Sequence, residues 1–395
     1  MSKPTKTHNK THKQDTRLAH GGRDPSSHHG FVNTPIYRGS TVLYPTLASL
    51  EANDQDYSYG RLGTPTVEAL QTTLAELEGG HATLLTPSGL SAVSAALVAF
   101  VTSGDHILVS DSVYRPTRRF CDNVLKRLGV TTTYYDPLIG SGIANLITKA
   151  TKLVFTESPG SQSLEVQDIP AIADAARRNG AVVVMDNTWA TPLYFKPFSH
   201  GVDVSIQAAT KYIVGHADAM LGAITTNTAS SAAVAKTHDE LGLCPGPEDA
   251  YLGLRGLRSL SVRLQRHQET GIALAEWLAH RPEVARVIHP ALPGDPGHDL
   301  WRRDFTGASG LFSIVLEPCS REALAAMLDD LALFGMGYSW GGYESLILPF
   351  NPRGYRSATQ WKEDGPALRL HAGLEDLEDL KADLAAGFER LKARG

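Results

Sequence analysis

Cysteine is scarce: Cys121, Cys244 and Cys319 stand far apart in a chain of 395 residues, with no Cys-x-x-Cys pair among them. That excludes a disulfide-stapled scaffold and a thiolate metal site, and it suits reduced thiols in the cytoplasm. Long apolar runs are missing too. The longest, Leu90 to Val101, is interrupted by Ser91 and Ser94 and falls short of the roughly 20 residues that cross a bilayer. The first stretch, Met1 to Arg17, carries Lys3, Lys6, Lys10, Lys13 and Arg17 but no apolar segment, so it reads as a solvated flexible tail and not as a secretory signal. No excess of positive charge exists either. The net charge of −5 and isoelectric point near 6.3 argue against a nucleic-acid partner and leave a small metabolite. There is no His-Glu-x-x-His, no Gly-x-x-x-x-Gly-Lys and no strand-linked Gly-x-Gly-x-x-Gly, which removes the commonest metalloprotease and nucleotide signatures. The densest histidines, His8, His12, His20, His28 and His29, lie near the start, and no metal is expected.

What is present is ordinary in bulk: 42% hydrophobic, 20% charged, mean hydropathy −0.16. At roughly 150 residues per domain the length predicts two or three domains. Residues 21–59 lack sustained periodicity and are punctuated by Pro25, Pro35 and Pro45, as in an extended arm. Thr64-Pro65 then opens a helix with Val67, Leu70, Leu74 and Leu77 on one face and Gly79-Gly80 at its end. Short apolar runs come after it at His106–Val109, Leu153–Phe155, Ala181–Met185 and Val202–Ile206, with helical segments such as Ile169–Arg178 between some of them. Unbroken apolarity predicts strands covered on both faces, hence a mainly parallel α/β sheet. Beyond about Leu254 the pattern becomes a long helix, Ser259–Ala279, with strands near Leu311–Leu316 and Ala367–Leu370. Leu377, Leu380, Leu384, Phe388 and Leu391 share one face of a closing helix. The expected division is 1–60 tail and arm, 61–255 a large domain, and 256–395 a smaller C-terminal α+β domain.

The chemistry gathers at strand ends. Ala181–Met185 delivers Asp186, and Val202–Ile206 is followed closely by Lys211. A carboxylate can hold a pyridine nitrogen protonated while an amine forms an imine with an aldehyde on the same ring. An Asp in that place is more often a turn former and a lone Lys a surface charge, so the pair carries the argument. Thr86-Pro87-Ser88-Gly89-Leu90 precedes a helical run, where the Gly89 and Leu90 amides could meet a phosphate; an ordinary turn capped by Ser88 is the alternative. Tyr114, just after the His106 strand, could stack on a cofactor ring or be a packing tyrosine.

Several strings extend this reading. Asp186-Asn187-Thr188-Trp189-Ala190, Ala209-Thr210-Lys211-Tyr212 with Gly215-His216, and Tyr59-Gly60-Arg61 followed by Gly63-Thr64-Pro65-Thr66 resemble the Cys/Met-metabolism PLP-dependent enzymes. The resemblance runs from about Thr16 to the C-terminus. Tyr338-Ser339-Trp340-Gly341-Gly342-Tyr343-Glu344-Ser345-Leu346 and Arg369-Leu370-His371-Ala372-Gly373-Leu374-Glu375 resemble its bacterial β-lyase branch.

The resemblance implies an aspartate-aminotransferase-like fold (fold type I) with a mainly parallel seven-stranded sheet, and pyridoxal 5'-phosphate as cofactor. It implies Lys211 as the Schiff-base lysine, Asp186 on the pyridine nitrogen and Tyr114 on the ring, with Tyr114 also helping to deprotonate the substrate ammonium. Gly89, Leu90 and the Thr210 hydroxyl are implied at the phosphate, with Tyr59 and Arg61 reaching it from a neighbouring subunit of a homotetramer. Arg369 is implied to grip the substrate α-carboxylate, with Ser339 and Trp340 lining the same pocket. The implied activity is carbon–sulfur cleavage of a sulfur amino acid in methionine biosynthesis: β-elimination of cystathionine, also acting on cysteine S-conjugates, with γ-elimination or γ-replacement as the alternatives. One departure stands out: many relatives have serine three residues before the lysine, where this chain has Ala208.

Overall fold

The computed structural model describes residues 12–394. Lys3, Lys6 and Lys10 of the expected tail, and His8, lie outside them. The described end of that segment is not tail: Gln14–His20 is a helix whose Leu18 is buried, and Arg17 donates to the Glu76 carbonyl. The arm is largely irregular, as expected, but holds two short helical pieces, Pro25–His28 and Leu47–Ala52, capped by Asp24 and Thr46.

Seven strands form the large sheet: β1 Ala82–Thr86, β2 His106–Ser110, β3 Thr131–Tyr135, β4 Thr151–Glu157, β5 Val182–Asp186, β6 Val204–Gln207 and β7 Gly222–Thr226, in the order β1-β7-β6-β5-β4-β2-β3. Six strands run in one direction, and β7 alone lies antiparallel, between β1 and β6. The sheet is therefore mainly parallel, and its apolar strands are buried as both-face coverage requires. The Pro65–Glu78 helix forms where expected. The Thr64 hydroxyl accepts the Val67 amide, Pro65 fills the first turn, and Gly79 ends the helix in a left-handed conformation. Its Leu70, Leu74 and Leu77 are buried, each contributing about 1.5–3 kcal/mol of apolar burial.

A second sheet of four antiparallel strands, β8 Val284–Ile288, β9 Leu311–Leu316, β10 Leu346–Phe350 and β11 Ala367–His371, has the order β10-β11-β9-β8. The helix Leu260–Leu278 leads into it and Leu377–Arg394 closes the chain, burying Leu380, Leu384 and Phe388. One hydrophobic cluster runs from Leu108 and Val183 of the large sheet to Phe312 and Leu370 of the small one. That continuity packs β2, β4 and β5 of the large sheet into one core with β9 and β11 of the small one.

Candidate active site

β5 and β6 are adjacent and parallel, so their carboxyl ends deliver Asp186 and the turn to Lys211 to one edge, where open α/β sheets bind ligands. The Lys211 ammonium donates to the Ser339 hydroxyl at 2.5 Å and lies 5.3 Å from the Trp340 ring centroid. Burial and the Arg369 cation lower its pKa from 10.5 to about 8, with Asp186 pulling the other way. The ammonium still predominates at neutral pH, but a far larger fraction than for an ordinary lysine is neutral, the form that attacks a carbonyl.

Arg369, on β11, donates to the Ser339 carbonyl at 2.9 Å. Ser339 thus touches the lysine with its hydroxyl and the arginine with its carbonyl. It does so in the left-handed region, at φ 84°, a strained conformation for a residue with a side chain. Gly341 nearby has φ 85°, and a Cβ there would come within 3.1 Å of Lys211 backbone, so glycine is what lets this loop lie on the lysine turn. His371 steadies the loop by accepting the Gly341 amide at 3.1 Å while its other ring nitrogen bonds the Glu344 carbonyl. Burial and the neighbouring His267 hold His371 well below the usual histidine range, which fits a packing role.

Both hydrogen bonds of the half-buried Asp186 fall on Oδ1, from the Thr188 amide at 3.0 Å and the Thr188 hydroxyl at 2.5 Å. Oδ2 is left for an incoming donor. Burial raises the Asp186 pKa against those two bonds, and a pyridinium placed there would lower it again. Beside it, Glu157 ends β4 in register with Asp186 and accepts the Tyr114 amide at 2.7 Å. Burial and the Asp186 charge push Glu157 far above the carboxylate range. Glu157 is not foreseen from the sequence, where its only signal is its place at the end of a buried strand.

Tyr114 is 46% exposed, a large ring left open over the cleft. Burial, Glu157 and Asp186 raise its phenol, with Arg369 and Arg119 opposing. It therefore holds its proton at neutral pH, and the deprotonating role expected for it needs a further cation beside it.

Ser88 and Ser91 form a capping box at the start of the Gly89–Val98 helix, Ser91 N to Ser88 Oγ 3.1 Å and Ser88 N to Ser91 Oγ 2.9 Å. The Gly89 and Leu90 amides take no part in it and remain for an anion. A Cβ on Gly89 would meet the Ala208 Cβ at 2.5 Å, so the helix start and the lysine turn pack without space for side chains. Thr210 differs from expectation: its hydroxyl donates to Leu221 O at 3.0 Å and accepts Leu221 N at 2.8 Å. Its one proton is committed unless the side chain turns.

The structure thus brings together Lys211, Asp186, Tyr114, Arg369, Ser339 and Trp340. Tyr59 and Arg61 stand apart from them within one chain. Tyr59 bridges Thr41, and Arg61 pairs with Asp239 at 2.5 Å in a cavity of about 160 Å³ lined also by His238 and Cys244. Among the described residues no group of three or more His, Cys, Asp or Glu could hold a metal, and no helix is long and apolar enough to cross a membrane. A buried carboxylate with an open oxygen, a desolvated lysine, an exposed aromatic ring and a glycine-floored helix start together fit a phosphorylated pyridine aldehyde.

Residues 15–389 match the family model described as Cys/Met metabolism PLP-dependent enzyme. A cystathionine beta-lyase of Escherichia coli (strain K12) is 46% identical, covering 96% of this chain and 99% of that one. An L-alanine/L-glutamate racemase of Wolbachia pipientis wMel is 41% identical, covering 96% and 98%. The crystal structure of cystathionine gamma synthase from Xanthomonas oryzae pv. oryzae in complex with cystathionine superposes with a TM-score of 0.90 at 33% identity, covering 97% and 100%.

Proposed function

Because the chain belongs to the Cys/Met metabolism PLP-dependent enzymes and so uses pyridoxal 5'-phosphate, we propose that it cleaves L-cystathionine by β-elimination to homocysteine and a three-carbon fragment that one water hydrolyses to pyruvate and ammonia. The observation that carries this reading is Ser339 joining a desolvated lysine to a half-buried guanidinium at one strand-end cleft. The identity to a cystathionine beta-lyase over nearly the whole chain supports the choice of bond. In this reading residues 61–255 hold the cofactor and 256–395 close over the substrate. Homocysteine as product assigns the enzyme to methionine biosynthesis, in the cytoplasm.

When bound, pyridoxal phosphate supplies an electron-withdrawing ring on which the substrate amine is held. Asp186 keeps the ring nitrogen protonated through its open Oδ2, and Tyr114 covers the ring face. The Gly89 and Leu90 amides take the phosphate, joined by Tyr59 and Arg61 from a second copy of the chain. Arg369 grips the substrate α-carboxylate through parallel N–H donors. Lys211 would take the Cα proton and return a proton to the departing sulfur. Trp340 screens that transfer from water. Each step uses charge or proton affinity matched to the reacting state.

We assign the chain to a homotetramer, and the exposed apolar side chains of the arm support an interface between copies. Phe31 is 71% exposed, Leu43 82% and Leu47 69%, a concentration that marks an interface. The holoenzyme should run as four chains in light scattering, and with L-cystathionine should release pyruvate and homocysteine. 2-Oxobutyrate with cysteine would replace the reading by γ-elimination. A second reading has its own support in the racemase relative, since Cα proton removal by Lys211 followed by proton return on the opposite face, with no leaving group lost, inverts Cα. D-amino acid formation without pyruvate would establish it instead.

The Lys211 amine gives a separate expectation. Stripped of cofactor, the chain should take up pyridoxal phosphate faster as pH rises, levelling above about 8 because the amine is then neutral. A rate still climbing toward the ordinary lysine pKa of 10.5, followed by visible absorbance, would contradict the desolvated site.

A further inference from the structure

The connection between β10 and β11, residues 351–366, crosses from the small sheet onto the carboxyl ends of β2 and β4, and one side chain holds its middle. Asp111, the residue after β2, is fully buried. Its Oδ1 accepts the Ser357 amide at 3.0 Å, and its Oδ2 accepts the amides of Ala358 at 3.1 Å and Thr359 at 2.8 Å, plus the Thr359 hydroxyl at 2.7 Å. Arg118, itself buried, donates to the same carboxylate and lies over the Tyr134 ring. Burial pushes the Asp111 carboxyl up, but the loop amides, the Thr359 hydroxyl and Arg118 outweigh it and hold it below the ordinary range.

A second anchor lies alongside. The Tyr355 hydroxyl donates to Gln162 at 3.0 Å, and Arg356 pairs with Glu165 at 2.7 Å. The Gln162 carbonyl accepts the Ser313 hydroxyl at 2.5 Å, and Ser313 is the β9 register partner of Arg369. Tyr114 stands three residues beyond Asp111, and Arg369 three residues beyond the connection.

We propose that Asp111 is a positioning residue: by binding three consecutive amides of the 351–366 connection it straps the strand carrying Arg369 to the turn carrying Tyr114, setting the gap between carboxylate grip and cofactor face. This rests on the reading that Arg369 takes the substrate carboxylate. A charge buried without touching the reacting atoms is costly unless its geometry is needed. One carboxylate capturing three amides holds a single loop conformation, since rotating any of those peptides loses a charge-assisted bond. The strap therefore sets substrate binding and leaves the proton transfers at Lys211 alone.

The test compares the holoenzyme with D111N, T359V and T359S. The Asn amide would turn N–H groups toward the strap's own N–H groups, Val removes one donor, and Ser keeps it. In D111N, KM for L-cystathionine should rise about tenfold with kcat within about twofold, as loss of a charge-assisted hydrogen bond in binding predicts. Trypsin should cut after Arg353 or Arg356 about tenfold faster, while the visible cofactor absorbance stays. T359V should move KM and cleavage together by less, and T359S should match the parent. Unchanged cleavage in D111N and T359V, or a fall in kcat with KM constant, overturns the proposal. If D111N fails to fold, T359V against T359S decides. Cleavage and absorbance need no substrate, so they test the strap even if the cystathionine reading fails.

Discussion

Lys211→Ala should lower turnover of L-cystathionine by at least about 10⁴-fold, since general acid–base transfer alone contributes 10²–10⁴ and covalent attachment is lost with it. In the proposed reading the residue does three jobs through one nitrogen: it anchors the cofactor, accepts the Cα proton and protonates the leaving sulfur. Its surroundings prepare it for each, with burial and Arg369 lowering its proton affinity and Ser339 aiming the amine. Lys211→Arg is the informative companion. A guanidinium keeps the positive charge but does not deprotonate in proteins, so it should be as inactive as alanine. Visible spectra of both variants with added pyridoxal phosphate should lack the imine band of the parent. Residual turnover above about 1% in Lys211→Arg would mean that charge, not proton transfer, is what this position supplies.

The elements legible in the sequence share a physical cause. The Pro65–Glu78 and Ile169–Arg178 helices carry their caps, Thr64 and Asp168, beside a regular apolar face, and β2, β5 and β6 are buried enough to read as unbroken apolar runs. The strand β3, Thr-Thr-Thr-Tyr-Tyr, is an edge strand with a polar sequence and offers no such run. β1 and β7 are rich in threonine and small residues, and only their antiparallel pairing adds β7 to the sheet and β1 as its other edge. At the site, Lys211 and Asp186 were legible because the strands that place them are local. Asp111 was not, because its partners lie some 246 residues further along. Arg61 marks a different limit. Within one chain it meets Asp239, and the phosphate contact expected of it requires a second chain.

Asp186→Asn should lower kcat by about 10³-fold, the scale of removing one partner from a buried charge pair, about 4 kcal/mol. The change is nearly isosteric, and Asn Oδ1 can still accept the Thr188 amide and hydroxyl that now hold Asp186, so the fold and the ring position should persist. What disappears is the negative charge that, in the proposed reading, keeps a proton on the ring nitrogen. Two further shifts must accompany the loss if charge is its cause. Lys211 loses the one neighbour that raises its proton affinity, so cofactor uptake should level at a lower pH than in the parent. Glu157 loses the Asp186 charge that helps push it up, so its carboxyl should titrate lower, a change that infrared difference spectra against a Glu157→Gln background can isolate. A thousandfold loss of kcat without either shift would mean that Asp186 acts by shape, and the electrostatic account of this site would fall with it.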